Sequence, residues 1–220
     1  MRRLSLRKES AGKKARSLLY SLCAYIRSPF GLASKTKVLS DPKAPENCEG
    51  GDQQLVKDRA SFREEKELRL TILSEIKKRL IGGTHIHKDG TQEILKGLWS
   101  DFNYDFSKTA FFYPVGFSNI YFGASSNFSG AEFNGNADFH KAAFENKPIF
   151  EYTLDNKTYK ARFSCKVAPG DYNFEVSHIS PYKIETKEQE HNGVKFIIPK
   201  GTELFDPGEP SKSEQAALSI

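Results

Sequence analysis

Nine phenylalanines in the middle of the chain fall on a fixed beat. They are Phe106, Phe111, Phe117, Phe122, Phe128, Phe133, Phe139, Phe144 and Phe150. The gaps between them alternate five and six, so the true period is 11. A hydrophobic period of 11 can arise from a helical supercoil. A helix fails here, because at about 100° per residue a gap of five turns it through about 140° and throws alternate rings onto opposed sides. Gly116, Gly123, Gly130, Gly135, Pro114 and Pro148 also oppose a helix. The short-range pattern has period two: a small or moderately apolar residue, an outward residue, then Phe. Thr109, Val115, Ile120, Ser126, Ala131, Ala137, Ala142 and Pro148 each stand two positions before a Phe. Such alternation marks short strands with one buried face. Five or six residues per face, repeated, predict a chain wound round a Phe-filled axis. An antiparallel sandwich would have to reach the same rhythm by coincidence.

The units read FSKTAFFYPVG, FSNIYFGASSN, FSGAEFNGNAD and FHKAAFENKPI, and a fifth opens FEYTLD. The motif A-x-F stands at Ala131-Glu132-Phe133, Ala137-Asp138-Phe139 and Ala142-Ala143-Phe144. On these residues the segment resembles the pentapeptide-repeat family in its Phe-centred form. Trp99 to Phe106 and Ile198 to Pro207 also resemble the flanks of bacterial members. The clear match covers about 50 of the 220 residues, and the leading units depart from the pattern at Pro114 and Tyr121. The resemblance implies a right-handed quadrilateral β-helix of about two coils, within a mainly β chain. Solenoids need capped ends. Residues 59–98 are expected to cap one end of residues 99–155, and 156–205 the other.

Leu68, Ile72, Leu73, Ile76, Leu80 and Ile81 recur at helical spacing, and Gly82-Gly83 follows as a stop signal. A second short helix is expected over 91–98, with Ile94, Leu95 and Leu98 on one face. Beyond the repeat, Tyr159, Ala161, Phe163, Cys165 and Val167 alternate with polar residues as in a half-buried strand. Cys165 on that face reads as core. Strands starting at Tyr172, Tyr182 and Val194 would complete a β-meander, with His191-Asn192-Gly193 as a hairpin turn. Residues 206–220 read as a disordered tail.

Composition bears on function. Residues 1–50 carry 11 basic and 4 acidic side chains, whereas residues 101–155 carry 3 and 7. The net charge of +5 is therefore a basic arm before an acidic middle, and nucleic acid is not the expected partner. Residues 1–58 are expected to be mostly disordered, because Pro, Gly and polar residues over 28–58 cannot bury enough surface to offset ordering. Leu18, Leu19, Leu22, Cys23 and Ile26 give a short amphipathic helix over 17–27. That helix is too short to span a bilayer, which takes about 20 residues. It suits a solvated tail, an anionic membrane surface, a targeting peptide or, least well, phosphate contact.

No set of residues points to catalysis, a cofactor or a metal. Three cysteines, Cys23, Cys48 and Cys165, are too few and too scattered for a disulfide framework. His85 and His87 share one side of a strand but lack a third ligand nearby. His178 beside Ser177 and Ser180 lacks an orienting acid, and His140 points outward from the repeat. The expected function is a non-catalytic protein-interaction or scaffold module in the cytoplasm, either free or as a homodimer. The alternatives are a module tethered to membrane through residues 1–27, and a DNA mimic that protects a topoisomerase. Two coils at about 4.8 Å per layer make a stack of roughly 10 Å, which spans only about three base pairs and disfavours the mimic.

Overall fold

The computed structural model describes residues 2–41 and 51–207. Among them are three α-helices, α1 (Arg2–Arg27), α2 (Thr36–Ser40) and α3 (Gly51–Leu80), and many short strands. Most strands of the repeat pair in parallel sheets.

The repeat builds its sheets from residues 22 apart. Tyr104 pairs with Ser126, Ala110 with Glu132, Val115 with Ala137 and Tyr121 with Ala143, all parallel. Twenty-two residues are two of the 11-residue units, so each strand meets the strand two units later. The Phe rings follow the same step. Phe106 stacks on Phe128 and Phe128 on Phe150, with centroids 5.6 and 5.4 Å apart. Phe111 lies 5.0 Å from Phe133, Phe117 5.3 Å from Phe139, and Phe122 5.1 Å from Phe144. All nine rings are buried, as are Ala131, Ala137 and Ala142.

The corners repeat too. Lys108, Asn119, Gly130 and Lys141 have φ of 55°, 57°, 70° and 54°, one in each unit. Thr109, Ala131 and Ala142 donate their N–H to the carbonyls of Phe106, Phe128 and Phe139. A positive φ at the third residue of such a turn is the type II geometry. Asp105, Asn127 and Asp138, each just before a Phe, accept the N–H two residues on. The shorter, five-residue gap thus follows from a tight turn fastened by a side chain.

The C-terminal part differs from the expected meander. Arg162–Ser164 joins Glu132–Phe133 on one side and Glu203–Phe205 on the other, both parallel. Tyr172–Asn173 pairs in parallel with Ala137–Asp138. Phe163 stacks on Phe133 at 4.7 Å and 3°, and Phe174 on Phe139 at 5.8 Å. One sheet is therefore four strands deep. Only two hairpins are antiparallel here, Glu151–Leu154 with Lys157–Lys160 and Thr186–His191 with Val194–Pro199. Alternation alone cannot distinguish a parallel partner from an antiparallel one, and the stacked rings decide it.

The helix expected over 91–98 is a strand instead. Gln92–Lys96 pairs antiparallel with Ile81–Ile86. Of Ile94, Leu95 and Leu98 only Ile94 is buried, and Leu98 is 90% exposed. Gly82 belongs to this hairpin: a Cβ there would lie 2.0 Å from the carbonyl oxygen of Lys96. The two strands approach closely at that point, and the glycine permits it.

The arm is the largest departure. The sequence predicts a helix only over 17–27 within a disordered 1–58, yet α1 runs from Arg2 to Arg27. Leu19, Cys23 and Ile26 are buried against the body. The linker expected over 28–58 contains α2, whose Leu39 is buried, and the first part of α3. Residues 42–50, including Cys48, lie outside the described residues, as do 208–220, where most of the expected tail falls. The buried stripe of α3 is Leu55, Phe62, Arg69, Leu73, Ile76 and Leu80, while Leu68 is 46% exposed. Spacing predicts Leu68 on that stripe, but Arg69 holds its place.

Candidate functional site

Arg69 explains how a short apolar stripe holds α1. Its side chain is 1% exposed. One guanidinium nitrogen donates to the carbonyl of Ile26 at 2.6 Å and another to that of Ser28 at 2.8 Å. Glu65, one turn earlier on α3, accepts from Nε at 2.6 Å. The cation thus caps the carbonyl end of α1, where positive charge is favoured. Its plane also lies 5.5 Å from the Phe112 ring. Phe112 stacks between Phe30 and Phe62 at 5.3 and 5.2 Å, which joins the helices to the repeat. Arg27, at the end of α1, pairs with Asp105 in the first strand of the repeat.

With α1 and α3 fixed, the segment 33–40 lies across the four-stranded sheet and leaves a groove of about 850 Å³. Ala33, Val38, Ala110, Phe205 and Pro207 give it apolar walls. Glu132 and Arg162 face outward from neighbouring strands and pair at 2.9 Å. The Arg162 guanidinium lies 4.5 Å from the Phe205 ring centroid, and Lys166 pairs with Asp206 at 2.6 Å. The sheet side of the groove thus carries a paired Glu132 and Arg162 on its two middle strands beside apolar and aromatic side chains, and Lys35 and Lys37 line the opposite wall. No side-chain set here makes a nucleophile with a base.

Other sequence-marked residues lie elsewhere. His85 and His87 contact edge to face at 4.7 Å on the exposed 81–96 hairpin, and His87 Nε2 lies 2.9 Å from Glu93. His178 is exposed. Ser180 Oγ accepts the Phe144 N–H at 2.9 Å and donates to the Tyr182 carbonyl at 2.6 Å, so it fastens a turn. His140 is half-buried, and its N–H goes to Asp138. Cys23 is buried, and desolvation pushes its thiol up to about 12.

Cys165 packs against the core, as alternation predicts, but at its edge. It is half-buried, and its Sγ lies within 4.8 Å of ligand atoms on His191 and Asp206. These three could hold a metal ion. Residues 165, 191 and 206 have no recognisable metal-ligand spacing, so nothing in the sequence joins them. The groove is equally invisible in sequence, because its walls come from five separate stretches. Among the described residues no helix is long and apolar enough to cross a membrane. Compared with known proteins, the chain matches no family model, no curated protein and no solved structure.

Proposed function

We propose that the chain is a pentapeptide-repeat protein and a non-catalytic interaction module. Its residues 104–205 form a right-handed quadrilateral β-helix. The 22-residue pairing step, the stacked Phe columns and the left-handed corner in each unit support that reading. Each coil then has four faces, and α1 and α3 shield the flank at Phe112 from solvent.

The groove between 33–40 and the four-stranded sheet carries the functional reading. Apolar and aromatic side chains give a protein segment area to bury, and the Glu132–Arg162 pair with Lys35 and Lys37 gives polar groups to meet it, the mixed chemistry of a protein interface. The partner is a protein segment bearing small apolar side chains. Crosslinking mass spectrometry in cell extract with the full chain is the test. The wild type is expected to crosslink one partner at Lys35, Lys37 or Lys166. Val38→Glu, a change at a side chain 42% exposed, is expected to abolish those crosslinks while the chain stays folded. Crosslinks unchanged by that substitution would refute the groove as the site.

The membrane tether is the weaker reading. Leu19, Cys23 and Ile26, the residues that would enter a lipid surface, are buried against the body. The topoisomerase mimic is weaker still. Four layers at about 4.8 Å give a stack of about 19 Å, which covers only about six base pairs.

A further inference from the structure

We propose that Cys165, His191 and Asp206 form a zinc site with an open fourth position. Their ligand atoms all lie within 4.8 Å of one another. In a tetrahedral site with Zn–S of about 2.3 Å and Zn–N or Zn–O of about 2.0–2.2 Å, neighbouring ligand atoms stand roughly 3.3–3.8 Å apart. The cluster therefore needs to contract by only about 1 Å, which side-chain torsions supply.

The backbone holds the three in place from three directions. Cys165 follows the strand Arg162–Ser164, and its N–H donates to the carbonyl of Phe205 at 2.9 Å, next to Asp206. His191 ends the strand Thr186–His191 and is paired with Val194 across the hairpin. All three side chains are half-buried, so an ion would be partly shielded yet reachable from solvent.

The donor set selects the metal. A thiolate and an imidazole are poor ligands for magnesium and calcium, which take oxygen. One sulfur, one nitrogen and one carboxylate oxygen suit zinc, and three protein ligands leave a position for water. Binding releases the Cys165 thiol proton to solvent and takes up the imidazole in its neutral form. The thiolate and carboxylate then balance the two positive charges of the ion. Lys166 Nζ sits 2.6 Å from Asp206 Oδ2. It supplies the outer-shell hydrogen bond that commonly orients a ligating carboxylate. Loaded, the ion ties the third strand of the deep sheet, the last strand and the hairpin into one unit.

The test uses the full chain and zinc alone. Equilibrium dialysis with metal analysis is expected to give one bound zinc per chain. Cobalt in its place is expected to give a thiolate charge-transfer band. Zinc, but not magnesium, is expected to raise the melting temperature by several degrees. His191→Ala and Cys165→Ser are each expected to weaken zinc binding at least tenfold, and His87→Ala to leave it unchanged. His191→Ala is the safer variant, because the side chain ends a surface hairpin. Absence of stoichiometric zinc, or zinc bound equally well by His191→Ala and wild type, would overturn the assignment.

Discussion

At the scale of the residue, the repeat works because each Phe meets its counterpart 22 positions on. Phe133 illustrates it: the ring is fully buried between Phe111 at 5.0 Å and Phe163 at 4.7 Å. Truncating a buried Phe removes its transfer energy and leaves a cavity, at a cost of about 3–5 kcal/mol. Phe133→Ala is expected to lower the unfolding free energy by that amount in urea denaturation, and a loss under about 0.5 kcal/mol would mean that the ring is not axial. Buried ionisable groups give a second expectation. The Cys23 thiol is raised from 9.0 to about 12 by desolvation, with Arg27 pulling it slightly back. Burial likewise raises Tyr104, Tyr113 and Tyr172. In each case the native state keeps a proton that the unfolded chain gives up. This stability is complete below the unfolded pKa and is lost as pH rises through the window from 9.0 toward about 12. The thermal midpoint should fall steadily between pH 9 and 11, and Cys23→Ala should make the fall shallower. A flat profile would contradict the burial of these groups.

At the scale of the element, the strands of the repeat were legible and their partners were not. A period of two identifies an inward face at Ala131 and Phe133. It does not say that Arg162–Ser164, some 30 residues on, will lie beside them. The hairpin 81–96 was hidden because Ile94, Leu95 and Leu98 mimic a helical face, while the decisive fact is the carbonyl of Lys96 at Gly82. The arm misled for a similar reason. Three buried residues on α1 look too few to order a helix until Phe30, Phe62 and Phe112 supply the surface and Arg69 the cap. Removing one partner of a buried pair leaves the other uncompensated, at a cost of about 3–5 kcal/mol. Arg69→Ala is therefore expected to destabilise the chain by about that much and to let α1 unwind, so that trypsin cleaves faster at Lys13, Lys14 and Arg16, which are exposed but helical in the folded chain. Unchanged cleavage, with a loss below about 1 kcal/mol, would show that Arg69 does not hold α1.

At the scale of the whole molecule, one rule orders the repeat and its C-terminal extension. Strands 22 residues apart pair in parallel, and the C-terminal strands Arg162–Ser164 and Tyr172–Asn173 extend two of these sheets. The helices and the 33–40 segment then add a covered flank at Phe112 and a groove beside the four-stranded sheet. The rule makes a geometric demand that no sandwich shares: residues 22 apart are neighbours, and residues 11 apart are on opposite faces. Gly116 and Asp138 are register partners. Parallel neighbours about 4.8 Å apart lie within disulfide reach. Gly116 has room for a side chain, since a Cβ there meets only Lys77 Nζ at 3.7 Å. The measurement is oxidative crosslinking of two double variants in a background with the native cysteines replaced by serine or alanine. Gly116→Cys with Asp138→Cys is expected to form an intramolecular disulfide, and Gly116→Cys with Asn127→Cys is not. The reverse pattern, or equal yields in both, would contradict the 22-residue coil on which the rest depends.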